Sequence, residues 1–152
     1  MESKPHCEVL SIRDNPADER LINEVWGQHA GIAVSNIRSG VQALELLRVP
    51  GRKLPNLILL GGSFPVGEMT AVEIVSALKA DEALRCIPVV VLTDRLSPTD
   101  TYKLYDVFVS CVIELPTTFL EFEKTLGMIK DLWLGIACLP YRAGKVYPDR
   151  EI

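Results

Sequence analysis

The residues of this 152-residue chain whose types could do chemistry are few and scattered. The two histidines, His6 and His29, have no partner near them in sequence, so surface or structural roles are the simpler reading. The four cysteines, Cys7, Cys86, Cys111 and Cys138, show no Cys-x-x-Cys spacing and no adjacent histidine pair. Zinc needs such clustered ligands, so none is expected. Cys7, Cys86 and Cys111 fall in or beside strand-like stretches and read as buried free thiols. What remains is a set of positions that close apolar runs: Arg13-Asp14, Gly61-Gly62, Thr93-Asp94 and Leu115. Asp14 can act in a site or simply cap a helix. Thr93 can bind an anion or satisfy a local backbone group. Gly61-Gly62 can expose N–H groups to a phosphate, but no helix opens directly behind them, and a tight turn is the simpler reading.

The elements that would position these residues are legible. Leu57 to Leu60 is a continuous apolar run, too short for a helix and closed by two glycines, as in a strand buried on both faces. Before it, Cys7 to Ile12 reads as a strand. A helix from Ala17 to about His29 is started by Asp14 or Asn15 with Pro16, and ended by Gly31. Ile32 to Ile37 is a second strand, and Ser39-Gly40 opens a second helix that Pro50-Gly51 breaks. After the axial strand comes a long loop, Gly61 to about Glu68, and a third helix from about Thr70 to Lys79. Ile87 to Leu92 is a fourth strand with Pro88 at its beginning. Ser97-Pro98 starts a fourth helix through about Tyr105, and Cys111 to Glu114 is a fifth strand. Thr117 or Thr118 caps a long fifth helix, with Phe119, Phe122, Leu126, Ile129 and Trp133 as its core stripe.

Strands alternating with helices predict an α/β fold: a doubly wound five-stranded parallel sheet in the order 2-1-3-4-5. Its carboxyl ends would bring Arg13, Asp14, Gly61, Thr93 and Leu115 to one pocket. Residues 1–140 are expected as one domain, with 141–152 as a tail. A net charge of -4 and no basic run argue against nucleic acid. No apolar run reaches the roughly 18 residues of a membrane span, and the amino terminus lacks a signal peptide's apolar core. A cytoplasmic chain is expected.

Asp14-Asn-Pro-Ala-Asp18, Leu57-Ile-Leu-Leu60, Lys79-Ala-Asp81, Ile87-Pro-Val-Val-Val-Leu-Thr93 and Pro116 together resemble a response-regulator receiver domain, over roughly residues 6 to 135. The ending Asp131-Leu-Trp-Leu-Gly-Ile-Ala-Cys-Leu-Pro140 is similar to the stand-alone receivers that partner phytochrome-type sensor kinases. The resemblance implies a flavodoxin-like receiver fold. It also implies an aspartate at the end of the third strand that accepts a phosphoryl group from a histidine kinase, and two acidic residues that help it hold Mg²⁺. A Ser or Thr then ends the fourth strand, and a lysine precedes the late proline. Metal and lysine neutralise the moving phosphoryl oxygens.

Carried onto this chain, the set is mostly missing. Gly61 stands at the phospho-acceptor position, Arg13-Asp14 at the acidic pair and Leu115 at the lysine. Val112 replaces the fifth-strand aromatic, and only Asp14 and Thr93 remain. The expectation is a pseudo-receiver, not an enzyme, with no catalytic residue, no cofactor and weak or absent Mg²⁺ binding. Arg13 would take the metal's place and pair with Asp14. The implied partner is a sensor histidine kinase or another two-component protein, with a homodimer through helix four, strand five, helix five and the C-terminal segment. Alternatives are a flavin- or nucleotide-binding sheet, or phosphorylation at Asp94 or Ser63. The resemblance also implies a cis peptide at Leu115-Pro116.

Overall fold

The computed structural model describes residues 7–29, 31–94, 96–136 and 147–148. The expectations for His6, Cys138 and the 140/141 boundary lie outside these residues. Five strands, β1 (Cys7–Ile12), β2 (Ile32–Ile37), β3 (Leu57–Leu60), β4 (Val89–Thr93) and β5 (Cys111–Glu114), alternate with five helices. The helices are α1 (Pro16–Trp26), α2 (Gly40–Leu47), α3 (Ala71–Ala80), α4 (Pro98–Asp106) and α5 (Phe119–Ile129). All strand pairs are parallel and the order is β2-β1-β3-β4-β5, as the alternation predicts.

The period of two along the central strands builds two core layers. Ile58 and Leu60 of β3, with Val89 and Val91 of β4, pack toward α2, α3 and α4, where Ile74, Leu78 and Leu104 meet them. Leu57 and Leu59, with Val90 and Leu92, pack toward α1 and α5, against Trp26, Phe122 and Leu126. Each such buried aliphatic side chain contributes roughly 1.5–3 kcal/mol. The helices begin where local chemistry satisfies their free N–H groups. Asn15 accepts from Ala17 and Asp18, Ser39 caps α2, Ser97 caps α4 and Thr118 caps α5. Thr70 and Glu73 form a reciprocal capping box on α3.

Several boundaries differ from expectation. α1 stops at Trp26: the Gly27 N–H makes its last α-type bond, to Asn23, and the His29 N–H turns back to the Trp26 carbonyl instead. β4 begins at Val89: Ile87 still bonds back to Leu84, and Pro88 supplies only its carbonyl, to Ile58. The fifth helix does not run α-helical to Trp133. It ends at Ile129 and continues as a π-helical segment, Lys130–Ile136. The indole Nε1 of the fully buried Trp26 donates to the Leu126 carbonyl at 2.9 Å. The Leu126 carbonyl also takes the Lys130 N–H, so it is shared between two donors at the turn where the α-helix gives way. Phe119, expected in the core stripe, is 63% exposed. The thiols are less buried than expected. Cys86 is exposed on a turn, Cys7 starts a strand, and Cys111 lies on the edge strand β5, where partial burial pushes its thiol up. The Leu115-Pro116 bond is trans, and no described peptide bond is cis. Trans is favoured by about 0.5–1 kcal/mol, and Leu115 packs into the α1–α5 layer, where no inversion is required.

Candidate functional site at the carboxyl ends of the strands

The loops that follow β1, β3, β4 and β5 meet above the sheet. Arg13, Asp14, Gly61, Ser63, Thr93, Asp94 and Leu115 line one small cavity there, of about 100 Å³. The topology thus brings every sequence-predicted site position together. Gly61 continues β3, its N–H bonded to the Ile12 carbonyl at 2.8 Å. A β-carbon on Gly61 would stand 3.1 Å from Arg13 Cβ, so the arginine's stem crosses the glycine closely.

Arg13 is buried at 5% exposure. Its Nη1 donates to Asp18 Oδ2 at 2.6 Å, and its Nη2 donates to the Leu92 carbonyl. Nε is buried without a partner. Burial lowers the guanidinium's pKa, and Asp18 opposes that shift; arginine remains a cation at ordinary pH. The expected pairing with Asp14 is not formed. Adjacent residues of an extended chain point to opposite sides, and Asp14 is exposed. Asp18 comes around from the first turn of α1 instead. Asp18 closes the Asp14-Asn-Pro-Ala-Asp18 motif, but its pairing depends on the strand-to-helix turn. One guanidinium therefore joins the ends of β1, α1 and β4.

Thr93 is 4% exposed and its carbonyl accepts from Leu115 N–H at 2.7 Å. Leu115 is apolar, buried and turned into the core. Asp94 and Ser63 are exposed at the rim. Val112 has an aromatic neighbour after all: its N–H donates to the Tyr105 hydroxyl of α4 at 3.0 Å. Beside the small cavity runs a larger groove between α1 and α5, about 980 Å³. Its rim carries Asp18, Arg20, Asp94, Glu114 and Glu121, and the exposed Phe119. Among the described residues no helix is long and apolar enough to cross a membrane.

No family model matches the chain. Similar proteins are nonetheless clear. A probable methanogenesis regulatory protein, FilR2 of Methanothrix harundinacea, is 33% identical over 140 residues, covering 89% of this chain and 88% of that protein. The response regulator Rcp1 of a Synechocystis strain is 31% identical over 147 residues, covering 91% and 97%. The structure of the phosphorylated cyanobacterial phytochrome response regulator RcpA superposes with a TM-score of 0.83 at 31% identity, covering 90% of this chain and 99% of that one. With this fold, order and coverage, the chain belongs to the response-regulator receiver family of two-component signalling and resembles its stand-alone, phytochrome-associated type.

Proposed function

We propose that this receiver passes its signal through protein contacts without itself accepting a phosphoryl group. The observation that carries the reading is Gly61: the residue that follows β3 into the site has no side chain, hence no nucleophile. The rest of the site supports it. Mg²⁺ wants an octahedron of oxygens, with one or two carboxylates from the protein. Here a buried guanidinium lies among the strand ends, and Asp18 is already paired with it. Among the described residues no group of three His, Cys, Asp or Glu side chains could hold a metal ion. The donor set does not fit, and Mg²⁺ binding is proposed to be weak or absent. Asp94 and Ser63 are poor substitutes as acceptors. Both are exposed, and the cation that lines the cavity with them, Arg13, is committed to Asp18 and Leu92. A flavin or nucleotide is disfavoured by charge: the larger groove beside the small cavity is lined by Asp18, Asp94, Glu114 and Glu121 against Arg20, and like charges repel a phosphate.

The proposed partner is a two-component protein such as a sensor histidine kinase, and the groove between α1 and α5 has the apolar floor and acidic rim for a protein segment. A second copy of the chain is proposed to use α4, β5, α5 and the π-helical segment after it, where Tyr102, Tyr105, Leu120, Met128 and Leu132 are all about half exposed or more. Leu139 and Pro140, at the end of the C-terminal segment assigned to that dimer, lie outside the described residues. The test is intact mass after incubation with acetyl phosphate and Mg²⁺. The expected result is an unchanged mass. A phosphoryl adduct lost in alkali would refute the reading.

A further inference from the structure

Gly62, the residue after the bare acceptor position, is where the fold spends a second glycine. Its φ is not positive: among the described glycines only Gly51 and Gly67 have such a backbone. Conformation therefore does not require glycine there, but space does. A β-carbon on Gly62 would collide with Thr93 Oγ1 and Cβ and lie 2.9 Å from Cγ2. The Thr93 side chain fills the volume that any other residue at position 62 would need. Because Thr93 Cβ is itself in collision, no rotation about χ1 can clear the way; the end of β4 or the chain at Gly62 would have to move.

That end is tied on its other sides. The Thr93 carbonyl takes the Leu115 N–H at the end of β5. The carbonyl before it, Leu92, takes the Arg13 guanidinium from β1. From Asp94 the chain leads within four residues to Pro98 and α4. Helix α4 is anchored in turn by buried Leu104 and by the Tyr105 hydroxyl on the Val112 N–H.

We propose that Gly62 and Thr93 form a permanent latch. Interlocked with Arg13, they hold the β4–α4 connection, and through it α4 and the β5 edge, in one arrangement that needs neither metal nor phosphoryl group. The inference rests on the reading of this chain as a receiver without phosphoryl chemistry, and it adds what sets its outward face instead. The seat is filled by shape, so the hydroxyl of Thr93 is dispensable while its bulk is not.

The experiment compares amide spectra and hydrogen exchange of the full chain with those of Gly62→Ala, Thr93→Val, Thr93→Gly and the double variant Gly62→Ala/Thr93→Gly. Gly62→Ala is expected to shift the amides of α4 and of Val112, and the double variant to return most of those shifts toward the parent. Thr93→Val keeps all three occupied positions and is expected to leave α4 unchanged. Thr93→Gly alone empties the seat and is expected to speed exchange in α4 about tenfold. These last two variants decide the matter if Gly62→Ala does not fold. Shifts confined to the two residues either side of positions 62 and 93, or an α4 that responds to Thr93→Val, would overturn the latch. Intact mass with acetyl phosphate and Mg²⁺ on the parent sample separates the two ideas. An adduct there sinks the reading beneath, whereas an unchanged mass with a silent Gly62→Ala sinks the latch alone.

Discussion

Arg13 shows how one residue changes what a site can be. A carboxylate at this position would draw a cation; a guanidinium is the cation, attached to the chain and 5% exposed. Removing a charge from water is costly unless it is paired and hydrogen-bonded, and Asp18 and Leu92 meet that need at two of its nitrogens. Phe108 is the opposite kind of residue, one whose conformation nothing local rewards. Its φ is 72°, the only positive value at a described non-glycine residue. It closes the carboxyl end of α4, with its N–H on Tyr105 and the next N–H on Leu104, the place where glycine is usual. A left-handed conformation costs a side-chain-bearing residue roughly 1–2 kcal/mol. Because Phe108 is 74% exposed, little burial offsets that cost. Phe108→Gly is therefore expected to stabilise the chain by about 1 kcal/mol, read as a higher urea midpoint at unchanged slope. A lower midpoint would mean that the ring packs more than its exposure indicates.

At the scale of elements, the caps carry a pH signature. Glu73 lies in the first turn of α3, where its carboxylate accepts from the Thr70 N–H and faces the helix amino end. That backbone hydrogen bond, with the Thr70 side chain, holds the Glu73 carboxyl below its ordinary 4.5. A carboxyl depressed on folding contributes stability that is complete above its unfolded pKa and is lost as pH falls through the folded one. The urea midpoint of the parent is thus expected to exceed that of Glu73→Gln at pH 7, and the gap to close as pH drops below 4.5. A gap that is constant with pH would assign the cap to hydrogen-bond geometry alone. The elements themselves were legible in sequence. Unbroken apolar runs announced β3 and β4, and Asn15-Pro16 and Ser97-Pro98 announced α1 and α4. The end of α5 was not legible: the last α-helical turn shares its Leu126 carbonyl with an indole 100 residues away in sequence, a contact periodicity does not reveal.

At the scale of the whole molecule, the order of strands could be deduced, and with it the meeting of Arg13, Asp14, Gly61, Thr93 and Leu115. How those residues fill the space could not. The Arg13–Asp18 pair and the Gly62–Thr93 contact are tertiary facts, invisible to periodicity and turn chemistry. The same dispersal over four strand ends governs whether the missing chemistry can be put back. Gly61→Asp alone places a carboxylate beside a buried guanidinium, its β-carbon 3.1 Å from that of Arg13. Opposite charges at so short a range attract, so the new carboxylate is expected to pair with Arg13 rather than hold Mg²⁺. Arg13→Asp/Gly61→Asp removes the competitor and sets two new carboxylates near Asp14, an oxygen set of the kind Mg²⁺ accepts. Saturable, Mg²⁺-dependent amide shifts at positions 13, 14 and 61 are expected for the double variant and not for Gly61→Asp. Adding Leu115→Lys supplies a second cation for the phosphoryl oxygens, and only this triple variant is expected to gain an alkali-labile phosphoryl adduct from acetyl phosphate in good yield. An equal adduct on Gly61→Asp alone would show that Arg13 is no obstacle, and that a single residue separates this receiver from phosphoryl transfer.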